Sequence, residues 1–427
     1  MGVYFAGMAQ IPGSAKLQAP RGTQEPRRTA RLAYFVSHPI QYQVPLLRRI
    51  AAEADIDLQV FYFSDLSVRG YNDAGFGGVR VEWDIPLLDG YKSEFLPGFR
   101  HRDSFSFASP VNHGIFSRLR RGHFDAVWLH GYHTMSCLQV LFAAKLLGLP
   151  LFLRTDSSLN DRVRSTKTLL AKKLFFGIIG SAVSGILSVG KANDDYWQEA
   201  LGANVRIFPM PYAVDNDFFH CQAVKASAGR EAFRSELGLE PGRPVLLFAS
   251  KLQGRKRCID LVEAYLRLSS APGRPRPYLL IVGNGEERQA VEARAAAAAD
   301  GDIRFLGFRN QTELPRFFDL CDIFVLPSIH EPYGLVINEV MNASRTVVVS
   351  DQVGCHPDLV HDGLNGRVFP AENIDALAEC LQQLLDQPDL RESMGRNSLR
   401  LIQHFTFEQD VAGLRQALAF AVPGFHA

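Results

Sequence analysis

The stretch CDIFVLPSIHEPYGLVINE, residues 321–339, decides how this chain is read. Ile323 to Leu326 is a short apolar run stopped by Pro327, the pattern of a buried strand. His330 to Gly334 cannot extend it, because Pro332 fixes its own φ and Gly334 permits a sharp turn. Beyond the turn, Leu335, Val336, Glu339, Val340 and Ala343 recur at helical spacing. A strand, a Gly-ended loop and a helix start leave backbone N–H groups facing outward, where they attract phosphate or a hydroxyl-rich ligand. Glu331 lies just before that helix and Glu339 in its early turns, so both can border one pocket. Surface helices carry such pairs constantly; the strand–turn–helix context is what raises this one.

The same alternation runs outward in both directions. Toward the N-terminus, LAYFVS (32–37), a helix near 43–53, IDLQVFYF (56–63), AVWLH (126–130), a helix over 134–147, LPLFLRT (149–155), GILSVG (185–190) and VRIFP (205–209) form a first half. A second half contains VLLFAS (245–250), a helix over 257–269, YLLIVG (278–283), a helix over 286–299, IRFLGF (303–308), the 321–328 strand, TVVVSD (346–351) and helices over 373–386 and 389–403. Strands alternating with helices predict α/β architecture with parallel sheets covered on both faces. Residues 213–243 are polar and end in Pro241-Gly242-Arg243-Pro244, which reads as a linker. Residues 64–110, rich in Gly, Pro and aromatic side chains, read as a long loop-rich insertion.

A chain of 427 residues with 47% hydrophobic residues is long enough for two cores. Its formal charge of +1 argues against a nucleic-acid partner held by a broad basic surface. Six cysteines without a C-x-x-C pair suit reduced thiols in a cytosolic chain. Residues 1–30 show no sustained periodicity and too few apolar residues for a signal peptide, so a disordered extension is expected. The run 174–190 is shorter than the roughly 20 apolar residues of a spanning helix and reads as a buried helix followed by a strand. Lys167, Lys172 and Lys173 before it are a solvated basic face that is also compatible with anionic lipid.

Glu331-Pro332-Tyr333-Gly334 together with Glu339 resembles the paired-glutamate motif of family 4 retaining nucleotide-sugar glycosyltransferases (glycosyl transferases group 1), and the resemblance extends over nearly all of 31–415. It implies the GT-B fold, two Rossmann-like doubly wound parallel-sheet domains facing a cleft. The acceptor would bind 31–212, with the insertion 64–110 facing it, and the nucleotide sugar 244–406, while a last helix within 407–427 crosses back to the first domain. It also implies Glu331 at the donor sugar, Glu339 at the donor ribose, and the amides of Gly334, Leu335 and Val336 at sugar and diphosphate.

Lys251 ends one strand and Lys256 lies in the following loop, which places two ammonium groups near a sheet edge where ligands gather in open α/β folds. Arg255 and Arg257 flank Lys256, and the resemblance is what ranks the two lysines as cations for a departing diphosphate. Gly283-Asn284-Gly285 follows a strand, but Arg288 stands where a dinucleotide fingerprint needs glycine, which weakens an oxidoreductase reading. The loop instead resembles the family's nucleotide-side turn, and Phe308 and Arg309 are candidate walls for the base. His38 and His130 close strands of the first half, at the edge of an interdomain cleft. The resemblance puts His130 at the donor sugar near the reacting carbon; a histidine bonded in the core is the alternative. SHPIQY (37–42) departs from the Gly-rich loop of many relatives, and Ser344-Arg345 departs from their turn after the helix. His133, Arg154 and Asp156 are further acceptor-side candidates.

The Asp-x-Asp match at Asp55/Asp57 lies before a strand and far from the donor stations, that at Asp215/Asp217 falls at the expected linker, and both read as solvated turns, so no metal site is expected. The lysines and the helix start would take a metal's electrostatic role. The expectation is therefore a transferase without a cofactor that moves a sugar from a nucleoside-diphosphate sugar to a glycan or lipid-linked acceptor. It would work in the cytoplasm, with room for a peripheral contact at the inner membrane face. A nucleotide-sugar epimerase, a phosphorylase and an inactive GT-B partner subunit are the alternatives.

Overall fold

Two parallel sheets, each layered between helices, build the molecule in the computed structural model, which describes residues 28–99, 106–159, 175–269, 276–296 and 301–427. The first 27 residues of the expected extension, and Lys167, Lys172 and Lys173, lie outside the described residues. Residues 28–30 already belong to the fold, since Ala30 opens the first strand.

The strands of the first half are β1 (Ala30–Val36), β2 (Ile56–Tyr62), β3 (Tyr71–Asp73), β4 (Val79–Val81), β5 (Lys92–Phe95), β6 (Gly98–Phe99), β7 (Val111–Asn112), β8 (Ala126–His130), β9 (Leu151–Arg154), β10 (Gly185–Ser188) and β11 (Ile207–Pro209). Seven of them form one sheet in the order β11-β10-β9-β8-β1-β2-β5, with every neighbouring pair parallel. The second half contributes β12 (Val245–Ala249), β13 (Tyr278–Val282), β14 (Ile303–Gly307), β15 (Ile323–Leu326), β16 (Thr346–Ser350) and β17 (Gly366–Phe369). They form a six-stranded parallel sheet in the order β14-β13-β12-β15-β16-β17. Most interior strands are buried along their whole length, which is why they read as unbroken apolar runs.

Each sheet carries an apolar core on both faces. The helix Phe407–Ala421 belongs to the first sheet's core through Val411, Leu414, Ala417 and Leu418. It approaches β11 so closely that a Cβ on Gly413 would lie 1.7 Å from the Pro209 carbonyl oxygen. Only glycine fits there.

Two sequence expectations are corrected. Residues 213–243, read as a linker, are part of the second domain: they contain helices Asn216–Ser227 and Arg230–Glu236, and Phe219, Ala223 and Phe233 are buried in its core. Asp215 starts the first of these helices by accepting a hydrogen bond from the Phe218 N–H at 2.8 Å. The few apolar residues that hold this pair in place are spaced for helices but diluted by polar ones. The insertion after β2 does not simply face the acceptor. Its antiparallel hairpin β3–β4 reaches across the cleft onto the second domain.

The run 174–190 is helical over 175–180 and then forms β10, with Phe176 and Ile179 buried. Among the described residues, no helix is long and apolar enough to cross a membrane.

Candidate active site

The loops after β12, β13, β14 and β15 leave the same end of the second sheet, because all four strands are parallel. Lys251 and Lys256 come from the first of these loops, Gly283 from the second, Phe308 and Arg309 from the third, and Glu331 to Val336 from the fourth. The fourth loop is tied on both sides. The Arg255 guanidinium donates to the His330 carbonyl at 3.1 Å. The Glu331 and Tyr333 carbonyls accept from the Gly354 and Cys355 amides at 2.9 and 2.8 Å. Gly334 then turns the chain at φ +100°, in the left-handed region. The helix proper spans Val336–Met341, with Leu335 as its preceding residue, and the Ile337 amide already donates back to the Gly334 carbonyl at 2.9 Å.

Both lysines carry carboxylate partners. The Lys256 ammonium is buried and pairs with the Glu331 carboxylate. Burial lowers the Lys256 pKa, and Glu331 opposes that by favouring the charged form. Lys251 pairs with Asp73 of the first domain at 3.0 Å, and its ammonium sits 4.7 Å from the Phe76 ring centroid. Neither Asp73 nor Phe76 had a signal in the sequence, because the contact exists only once the two domains face each other.

Between the domains lies a cavity of about 260 Å³. Its second-domain walls include Ser250, Gly283, Phe308, Arg309, Leu335 and Val336, and Glu339 opens onto it. A Cβ on Gly283 would lie 1.9 Å from the Ser250 carbonyl oxygen, so the two loops close this wall only with glycine present. The first domain supplies Gln41, Tyr42, Phe76 and Trp83. The Glu339 carboxyl, crowded by these walls, is pushed up to about 8 by burial alone. The predicted donor residues Gly283, Phe308, Arg309, Leu335, Val336 and Glu339 thus share one cavity. Gly334 and the Lys256–Glu331 pair adjoin it through the chain.

On the first domain, Tyr42 lines the cavity and the next residue, Gln43, holds His130. The Gln43 amide nitrogen stands 3.2 Å from His130 Nδ1, and the Gln43 carbonyl oxygen accepts from Tyr34 Oη at 2.6 Å. An amide N–H can only donate, so the imidazole nitrogen it meets must accept. That matches a ring whose pKa is lowered to about 3, by burial first and then by Arg154, His133 and His38. His38 is lowered to about 4 by burial, with Ser37 Oγ 2.9 Å from its Nδ1. His133 is exposed at the rim, beside Tyr132. Asp156 stands near Tyr42 and Tyr212 and helps to raise both phenols.

Arg154 is corrected. Period-two alternation puts it on the face of Phe152, which the last helix covers, and its side chain is 1% exposed. Its Nη2 donates to the Met210 carbonyl at 2.9 Å and to Asp410 at 3.2 Å, and the guanidinium lies over Tyr212 at 4.9 Å. It joins the last helix to the first sheet and does not face an acceptor.

The Asp-x-Asp matches are also accounted for. Asp55 pairs with Arg415 at 2.7 Å, Asp57 with Lys92 at 2.6 Å, and Asp215 caps a helix. Asp55 is therefore a buried ion-pair partner and not a solvated turn residue. Among the described residues, no group of three His, Cys, Asp or Glu side chains is placed to hold a metal ion.

Comparison with known proteins agrees with this geometry. Residues 229–400 match the family described as Glycosyl transferases group 1. The alpha-D-kanosaminyltransferase of Streptomyces kanamyceticus is 28% identical over 268 residues, 60% of this chain and 67% of that protein. A D-inositol 3-phosphate glycosyltransferase of Streptomyces bingchenggensis is 25% identical over 94% of this chain and 91% of its own length. Among solved structures, Anabaena HepE in complex with UDP superposes with a TM-score of 0.69 at 17% identity, over 92% of this chain and all of HepE. Two facing parallel α/β sheets with a ligand-sized cavity between them define the GT-B class. The chain has that fold, and over residues 229–400 it is similar to the group 1 glycosyltransferases.

Proposed function

We propose that this enzyme transfers a sugar from a nucleoside-diphosphate sugar to a hydroxyl acceptor with retention of anomeric configuration, in the assembly of a cell-surface polysaccharide or lipid-linked glycan. The observation that carries this reading is the interdomain cavity. It has Glu339 on its wall, the Gly334–Val336 turn and the Lys256–Glu331 pair adjoining it, and His130 one residue beyond its first-domain wall. The UDP seen in HepE fits the same reading.

In this mechanism the donor ribose hydroxyls meet Glu339, and the diphosphate meets Lys251, Lys256 and the amides that open the short helix. As the glycosidic bond breaks, the leaving oxygens gain charge, and fixed cations and amide dipoles stabilise it without reorganising. Glu331 orients the sugar and keeps Lys256 in place. His130 is neutral at pH 7, so its role is a hydrogen bond to a sugar hydroxyl near the reacting carbon and not proton donation. The acceptor hydroxyl, held on the first domain near His38, His133 and Asp156, approaches the face the diphosphate leaves. No prosthetic group or metal enters this scheme. The work would be done on the cytoplasmic side, peripheral to the inner membrane face.

The test is a thermal-shift screen against UDP-, GDP-, ADP- and dTDP-sugars, followed by NMR of the stabilising donor incubated with the enzyme alone. The expected result is stabilisation by one nucleotide class and only slow hydrolysis of its sugar. Conversion to an epimeric nucleotide sugar would replace transfer with epimerisation, and stabilisation by none of the four would overturn the donor assignment.

A further inference from the structure

The first domain sends one element onto the donor side of the second. Hairpin β3–β4 pairs Tyr71 with Val81 and Asp73 with Val79, and its tip is a tight turn over Ala74–Phe76. The Asp73 carboxylate shapes that turn by accepting from the Gly75 N–H at 2.7 Å, and it also holds Lys251 at 3.0 Å. Phe76 is thereby set against Phe308, with ring centroids 4.8 Å apart and planes at 71°. The next residue, Gly77, packs against the backbone of Gly285. The hairpin's base is fastened as well. The Asn310 side-chain amide donates to the Glu82 carbonyl at 2.9 Å, and the Thr312 N–H donates to the Asp84 carboxylate at 3.2 Å.

The position of this contact along the sheet assigns it a role. Glu331 follows β15 and Phe308 follows β14, with β12 and β13 between them. Three strand spacings of about 4.8 Å put the aromatic end of the cavity roughly 14 Å from the sugar end. That is the reach of a sugar diphosphate plus a ribose, so the base must lie where Phe76, Trp83 and Phe308 gather.

Resting on the nucleotide-sugar reading above, we propose that Phe76 is a nucleobase-binding residue supplied by the acceptor-binding domain. Its ring forms one wall of the base site, side by side with Phe308, which it meets edge to face. Asp73 acts as a positioning residue that ties the hairpin tip to Lys251. A base held between the two domains makes donor binding depend on their approach.

Isothermal titration calorimetry on the full chain tests this with UDP, GDP, ADP and dTDP, and with inorganic pyrophosphate as a probe that has no base. For the tightest of the four nucleotides, Phe76→Ala weakens binding roughly tenfold or more, the size expected for losing one base–aromatic contact. Phe76→Trp restores it, and pyrophosphate binds the wild type and both variants alike. Unchanged nucleotide affinity in Phe76→Ala overturns the proposal while leaving the donor reading intact. An equal loss for pyrophosphate also overturns it, by showing that the hairpin serves the diphosphate. A wild type that binds pyrophosphate and none of the nucleotides removes the donor reading and this proposal together.

Discussion

At pH 7 the Glu339 carboxyl, pushed up to about 8 by burial, carries its proton in most molecules before any donor arrives. A carboxylate accepts from two ribose hydroxyls, whereas a protonated carboxyl spends one oxygen as a donor. Binding a diol therefore favours the ionised form, and donor affinity is expected to rise as pH climbs through about 8. Glu339→Gln removes that dependence, which titrations of the best-bound nucleoside diphosphate between about pH 7 and about pH 9 will show. Lys256 and Glu331 pose a different problem, because each is buried beside the other. Lys256→Ala should cut turnover roughly 10²-fold, and by stranding the Glu331 charge it should also destabilise the protein by about 3–5 kcal/mol. The double variant Lys256→Met/Glu331→Leu separates the two effects. It is expected to regain most of the stability of the wild type in denaturant titrations and none of the activity.

The helix Phe407–Ala421 stays on the first sheet through apolar contacts and ion pairs, among them Arg415 with Asp55 and the fully buried Arg154 with Asp410. Burial raises Asp410 from its ordinary 3.8 to about 7, with Arg154 pulling it back down. A carboxyl whose folded pKa exceeds its unfolded value contributes stability that is complete below about 4 and is lost as pH rises through about 7. Melting temperatures between pH 4 and 7.5 should therefore fall less steeply in Asp410→Asn than in the wild type. Equal slopes would mean that Asp410 is ionised throughout. At this scale the sequence was legible wherever a strand was buried on both faces. Runs such as LAYFVS, VLLFAS and TVVVSD became β1, β12 and β16. Of the four edge strands, β11 and β14 were read as VRIFP and IRFLGF, whereas β5 (KSEF) and β17 (GRVF) were missed, since neither needs to be apolar throughout when one side meets solvent. Arg154 was misread because a polar residue closing an apolar strand looks the same whether it turns to a cleft or to a covering helix. The donor residues were legible because they follow one another's strands within a single domain. Asp73, Phe76, Trp83 and Gln43 were not, since their partners come from another domain or from the far side of a sheet.

For the molecule as a whole, the cleft has a firm side and a weak side. On the firm side, the Tyr212 carbonyl accepts from Tyr333 Oη at 3.1 Å and from the Asn338 amide at 3.0 Å, all buried, and the last helix crosses close by. On the weak side, Lys251–Asp73, Asn310–Glu82 and Thr312–Asp84 are partly exposed polar contacts, each contributing about 1 kcal/mol or less. The Phe76–Phe308 contact adds about as much again. A closed state held by contacts this weak can exchange with an open one, with Tyr212 and its partners acting as the hinge. The variant Asp73→Ala/Asp84→Ala removes two of the fastenings without touching either core. Its radius of gyration in small-angle X-ray scattering is expected to exceed that of the wild type, at unchanged melting temperature. Adding the best-bound nucleoside diphosphate should bring the variant back toward the wild-type value, because the ligand then bridges the two walls itself. Identical scattering curves for wild type and variant, with and without nucleotide, would show that the domains are held together from the hinge side alone and that donor entry does not require them to part.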